Sequence, residues 1–228
     1  MKVRSFAIIF RLTAFVVLTC ASLLAQDSKR VGIIRGLLQV LNKASVSGSM
    51  EIRGQCESGN FPEIPNIIQP ESSEENILRT VRNMFADDPA MQIMQDEGGT
   101  IRMKELGVSD DILRVKVRNF KFADVPNGGV YAPDTAVLRV MVSPEVARFR
   151  ASRKIEWVAA FYLTGTLGPP SPELPHVSGS MQNVTVSEIL DRVLKTFPGI
   201  WVYENCPAHD HKKRTVDLRF LTFKEHGE

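Results

Sequence analysis

The 228-residue chain is 43% hydrophobic and 24% charged, which excludes a disordered or collagen-like polymer and provides for a sizeable core. Its 28 Lys and Arg stand against 26 Asp and Glu, a formal net charge of +2. No basic surplus or stripe runs along the sequence, so a nucleic-acid partner is not expected.

The opening MKVRSFAIIFRLTAFVVLTCASLLAQ places Lys2, Arg4 and Arg11 ahead of an uncharged apolar run from Leu12 to Leu24, then small residues. This is the order of a secretory signal peptide, expected over residues 1–25. The run is short of the about 20 apolar residues a membrane helix needs. Retention as an anchor and lipid attachment at Cys20 are the alternatives, although Thr19 stands where a lipobox wants Gly, Ala or Ser. Without the leader, the remaining 25 basic residues face 26 acidic ones, and the balance turns to about −1. The expectation is an exported protein, periplasmic or extracellular, with no transmembrane segment after signal removal.

Residues 26–110 read as an opening helix and a first βαββ-like unit. SKRVGIIRGLLQVLNKAS spaces Val31, Ile34, Leu37, Leu38 and Leu41 at helical intervals. VSGSM at Val46 to Met50 leads into a short strand, and a proline-rich loop follows. Ser72 or Ser73 is expected to cap the helix EENILRTVRNMF, with Glu75 in capping-box position. Two alternating runs about Glu97, Gly98 and Gly99 predict a β-hairpin.

SDDIL, residues 109–113, reads as a helical turn leading into residues 111–175, where LRVKVRNFKF is a strand in which Val115 and Val117 fall out of phase with Phe120 and Phe122. A bulge near Asn119, or the end of one strand, would reconcile the two phases. Two short helices are expected to meet at Ser143 and Pro144. LTGTLGPPSPELPH reads as a second proline-rich connector.

Residues 176–228 repeat the pentapeptide as VSGSM at Val177 to Met181. Thr185 and Glu188 form a capping-box pattern, and Val186, Ile189, Leu190, Val193, Leu194 and Phe197 make one helical face, ended by Pro198 and Gly199. GIWVYENC and RTVDLRFLTF read as strands, the second with Val216, Leu218 and Phe220 on one side. ILRTVRNMF from Ile77 matches ILDRVLKTF from Ile189 at Ile, Leu, Val and Phe without a gap. The spacing before them differs, 27 residues from Met50 against 8 from Met181. Convergence between amphipathic helices is one account of the match. The other, preferred here, is a duplication: an α+β fold of two βαββ-type units around a helical middle segment.

VSGSMQNVTVSEILDRVLKTFPGIWVYENC with RTVDLRFL resembles the secretin and TonB short N-terminal domain over roughly residues 177–223, and VRNFKFADVP stands where that family has a preceding strand. The resemblance implies a periplasmic docking module and no catalytic residues. No secretin ring segment follows in this sequence, so it carries no partner identity beyond an envelope protein.

Chemistry-bearing candidates are few. Cys56 and Cys206 are either a disulfide, closing a loop of about 150 residues worth about 3–5 kcal/mol, or two unpaired small hydrophobes. Cys206, His209 and His211 supply thiolate and imidazole ligands of the kind zinc takes. Their use in a small secreted metal-dependent or Cys/His hydrolase is the rival to a non-enzymatic binding module, which needs no cofactor. Asp87, Asp88, Asp96, Glu97, Asp110 and Asp111 sit at turns and helix starts, where carboxylates accept from orphan amides. Trp157, Phe161, Tyr162, Trp201 and Tyr203 read as core or interface aromatics.

Overall fold

The computed structural model describes residues 36–54, 76–122, 132–158, 175–206 and 213–223. The chain divides into two units, residues 1–37 with 60–73, and residues 38–59 with 74–228. Of the first, only Gly36 and Leu37 are described, as the start of helix α1 (residues 36–44). The other described residues all belong to the second. The expected leader, Ser72, Ser73, the first proline-rich loop and residues 163–174 of the second lie outside the described residues.

The fold class is α+β, as the sequence indicates. After α1 come β1 (Gly48–Arg53), α2 (Ile77–Met84), β2 (Met91–Gln95), β3 (Ile101–Glu105), β4 (Lys116–Lys121), α3 (Pro133–Val142), α4 (Pro144–Arg153), β5 (Ile155–Val158), β6 (Ser180–Thr185), α5 (Val186–Leu194), β7 (Gly199–Cys206) and β8 (Arg214–Thr222). Six strands form one mixed sheet in the order β2-β3-β1-β7-β8-β5, and β4 pairs with β6 in a separate antiparallel ribbon.

Each half of the sheet has the same connectivity. In the first, β2 and β3 form the predicted hairpin and β1 lies parallel to β3. In the second, β7 and β8 form the hairpin and β5 lies parallel to β8. The join is the parallel pairing of β1 with β7. The two VSGSM pentapeptides therefore do not hold equivalent places. The first enters β1 at the middle of the sheet, whereas the second enters β6, which bonds to β4. The strand standing where β1 stands is β5, four residues that the sequence reading passed over between the α4 helix and the second connector.

Register fixes the two faces, because paired residues share a side. Met50, Met103 and Val202 lie on one side with Gly48, Ile101 and Ile200. Helix α1 covers it closely: a Cβ at Gly48 would come within 3.0 Å of Leu41 Cδ1 and 3.3 Å of the Ile101 carbonyl oxygen, so a side chain there would force these neighbours to give way slightly. Trp201 and Tyr203 lie on the other side, opposite Phe220 and Leu218. There they join the main core with Val186, Ile189, Leu190 and Val193 of α5 and Val140 and Met141 of α3, all fully or almost fully buried. Each large apolar side chain so buried contributes about 1.5–3 kcal/mol.

Local signals account for most helix ends. Thr185 Oγ1 accepts from the Glu188 amide while the Glu188 carboxylate accepts from the Thr185 amide, the expected capping box. Pro144 occupies the first turn of α4. Helix α2 is capped by Asn76, whose side chain accepts from the Arg79 amide at 3.2 Å, so the cap lies nearer the helix than the expected Ser72 or Ser73. In β4 the phase change is real, with Val117 and Phe120 both buried, but no residue is inserted. Lys116, Val117, Asn119, Phe120 and Lys121 keep one register with β6. The rung between Arg118 and Asn183 is instead distorted, with Asn183 at φ +52°, a left-handed conformation that asparagine tolerates better than most residues.

Candidate functional site

On the Trp201 side of the sheet, where β1 and β3 carry polar residues, two clusters of charge form. Arg102 and Lys104 alternate with Ile101 and Met103 along β3, so both project to this side. The Arg102 guanidinium donates to both carboxylate oxygens of Asp191 on α5 at 2.7 and 2.8 Å, to Asp96 Oδ2 at 2.6 and 2.9 Å, and to Ser49 Oγ at 3.3 Å. Trp201 Nε1 donates to Asp191 Oδ1 at 3.0 Å. Burial disfavours the Arg102 charge, but the bonds and charge of Asp191 and Asp96 outweigh it and raise the arginine above its usual range.

Lys104 Nζ lies 2.6 Å from Asp110 Oδ2 and 3.2 Å from Glu51 Oε2, and Arg114 pairs with Asp110. Glu51 is pushed above the ordinary carboxylate range by burial, which the nearby Lys104 only partly offsets. Burial also pushes Asp110 upward, yet the Lys104 bond and charge win and hold it low. Next along, Arg214 of β8 grips Asp111 with two bonds of 2.7 and 2.8 Å and donates to the Tyr203 hydroxyl and the Ser109 carbonyl. The Tyr203 hydroxyl donates in turn to Ser109 O at 3.1 Å, and burial pushes it up to about 12. These clusters tie helix α5 and the 109–114 turn to the sheet. Their carboxylates are bound to cations, and no nucleophile and base come together in them. The turn carboxylates are thus ion-pair anchors as well as caps. The repeated charge alternation of IRMKE was the available signal.

Cys206 is disulfide-bonded, and a disulfide sulfur is not the thiolate that a zinc site takes. Cys56, His209 and His211 lie outside the described residues, and the described ones contain no group of three His, Cys, Asp or Glu able to hold a metal. No helix among the described residues is long and apolar enough to cross a membrane.

A third charged region differs from the first two. Strand β4 exposes Lys116, Arg118 and Lys121, and α4 with its C-cap exposes Arg148, Arg153 and Lys154. The two elements pack together, the Arg118 amide donating to Glu145 Oε1 at 3.5 Å. Among the described residues no carboxylate forms an ion pair with any of these six cations, whereas Arg102, Lys104, Arg114, Lys213, Arg214 and Arg219 are all paired. The tertiary fold therefore builds a basic face that the sequence, with its two segments about 30 residues apart, does not display as a stripe.

The sheet edges are guarded by comparison. Among the described residues β2 pairs with β3 alone and β5 with β8 alone. The Leu106 amide bonds Ala90 O and the Asp96 amide bonds Thr100 O, which turns the Ile93 carbonyl away from β3. Arg82 of α2 donates to that carbonyl at 3.2 and 3.4 Å. At the other edge Glu156 pairs with Lys213 at 2.5 Å. Charged groups on short edge strands discourage pairing with another chain.

No family model, no curated protein and no solved structure matches this chain.

Proposed function

We propose that this chain is an exported, non-enzymatic docking module of the bacterial cell envelope that binds an acidic protein partner through the basic face of β4 and α4. The observation that carries the reading is the segregation of charge: six exposed cations on two packed elements that form no ion pair among the described residues, beside a sheet in which Arg102, Lys104 and Arg214 are paired. Such a face attracts a negatively charged surface, accelerates encounter and sets orientation more than it adds affinity. Export and an envelope location rest on the leader-like first 25 residues, and the docking role accords with the resemblance of residues 177–223 to the short N-terminal domain of secretins and TonB-dependent proteins. The sheet edge is the less favoured contact, because Arg82 and the Glu156–Lys213 pair occupy it.

The test is crosslinking and affinity capture from native envelopes with the full mature chain, followed by reconstitution with the purified partner. Wild type should retain one protein in a defined ratio, with an affinity that falls as salt rises, and Arg118→Glu combined with Arg148→Glu should lose it. Equal capture by the charge-reversed chain would sink the reading. So would a preference for anionic lipid vesicles or single-stranded oligonucleotide over any protein. Stoichiometric zinc lost on His209→Ala with His211→Ala would favour the metal-dependent alternative.

A further inference from the structure

Arg150 and Trp157 stand together between α4 and β5, with the guanidinium carbon 5.7 Å from the centre of the indole ring. One end of the guanidinium is held by the main chain, Nη2 donating to Met141 O at 3.1 Å. Arg150 Nε and Trp157 Nε1 are nevertheless both buried with no hydrogen-bond partner among the described residues. Cation–π attraction explains why the two groups are stacked, but it leaves two N–H donors without acceptors. Buried donors in folded proteins are almost always satisfied. The charge is anomalous too. Burial lowers the Arg150 pKa with no opposing influence from a carboxylate, while the half-buried Arg102 and Arg214 both carry bidentate aspartates.

We infer that Arg150 and Trp157 form a recognition site for a carboxylate, whose oxygens take the Arg150 Nε–H and the Trp157 indole N–H. The inference rests on the docking reading for the origin of the ligand: an Asp or Glu side chain, or a C-terminal carboxylate, of the acidic partner. A carboxylate suits the site because its two oxygens can each accept a bond while its charge neutralises the guanidinium. Arg148, Arg153 and Lys154 on the same helix and its cap would draw an acidic segment toward it.

The chain contains two tryptophans, so nitrogen-15 labelling of tryptophan in the full mature protein yields two indole signals, and Trp157→Phe identifies one of them. The probes are acetylated, amidated glutamate for a side-chain carboxylate and N-acetylalanine for a terminal one. The controls are acetylated, amidated glutamine and sodium sulfate at matched ionic strength. A carboxylate probe should move the Trp157 indole proton downfield to saturation, and which probe binds tighter identifies the source. Arg150→Gln should weaken binding at least about tenfold, with Arg150→Lys between it and wild type. No Trp157 response to either carboxylate, equal affinity in Arg150→Gln, or an equal response to glutamine or sulfate would each overturn the inference. The Arg118→Glu with Arg148→Glu chain separates the two proposals. If it loses its envelope partner while wild-type Trp157 ignores both carboxylates, the anchor falls and docking stands. If Trp157 responds while no partner is captured, the anchor stands and docking falls.

Discussion

Arg102 and Asp191, 89 positions apart in the chain, meet through two parallel hydrogen bonds of 2.7 and 2.8 Å that fasten strand β3 to helix α5. The pair is about a quarter exposed, 25% for the arginine and 29% for the aspartate, so solvent weakens it relative to a fully buried bridge. Asp191 also accepts from the Trp201 indole, and that asymmetry gives a prediction. Asp191→Ala leaves the buried Trp201 indole N–H without its acceptor and removes two of the guanidinium's bonds, with Asp96 still holding the rest, and should cost about 2 kcal/mol. Arg102→Ala leaves Asp191 bonded to Trp201 and should cost about 1 kcal/mol. Urea unfolding of the two variants checks the order, and a larger loss for Arg102→Ala would contradict it.

The carboxylates divide by sign into two groups. In Asp96, Asp110 and Asp111 burial pushes the pKa up, but bonds to Arg102, Lys104 and Arg214 respectively outweigh it and hold the folded-state values below the ordinary 3.8. Stability from such groups is present above the unfolded pKa and is lost as pH falls through the folded one. Thermal midpoints should therefore drop as pH falls below 3.8, and Asp111→Asn should flatten that decline. Glu51 runs the other way: its raised pKa gives stability that is present below the ordinary 4.5 and lost as pH rises through the folded value. Glu51→Gln should thus melt closer to wild type at pH 4 than at pH 7, and higher than wild type at pH 7. A Glu51→Gln chain that melts lower than wild type at pH 7 would refute this assignment.

What could be read from the sequence was what local chemistry decides. The Thr185–Glu188 box, the turn about Gly98 and the Pro144 helix start each lie within a few residues and can be found by spacing alone. Strand β5 was missed because IEWV is only four residues and follows a helix without a turn signal, its place being set by parallel pairing with β8. The destination of the second VSGSM was likewise decided at long range, by bonding of Ser180 to Thr185 with Lys116 to Lys121. The basic face arises in the same way, from two segments that become neighbours only when α4 settles against β4.

Gly199 opens β7 where that strand meets the end of β8. A Cβ placed there would stand 2.1 Å from the Leu221 carbonyl oxygen and 2.9 Å from Thr222 Cα. Both obstacles are backbone, which cannot rotate aside as a side chain can. Gly199→Ala should therefore separate the hairpin at its first rung, Gly199 with Thr222, at a cost of about 2–4 kcal/mol. Chemical denaturation measures the loss. A change below about 0.5 kcal/mol, the size of an ordinary surface substitution, would show that the close approach does not constrain the strand.

Cys206 ends β7 in a disulfide, buried to 2% exposure. The end of β1 lies beside it: the Gly54 amide donates to Asn205 O at 3.2 Å, and a Cβ at Gly54 would come within 3.2 Å of Cys206 Sγ. Cys56 follows Gly54 by two positions, and Cys20 belongs to the expected leader. The expected partner is therefore Cys56, and digestion of the mature protein without reductant should release one linked peptide containing Cys56 and Cys206. The loop it closes, about 150 residues, predicts a stabilisation of about 3–5 kcal/mol from restriction of the unfolded chain. Reduction, or Cys206→Ser, should lower the urea midpoint accordingly, with the larger share of the effect expected in the unfolded state. Two free thiols in the untreated mature protein would contradict the pairing. A linked peptide with an unchanged midpoint after reduction would contradict the stabilisation and leave the bond as a local tether between β1 and β7.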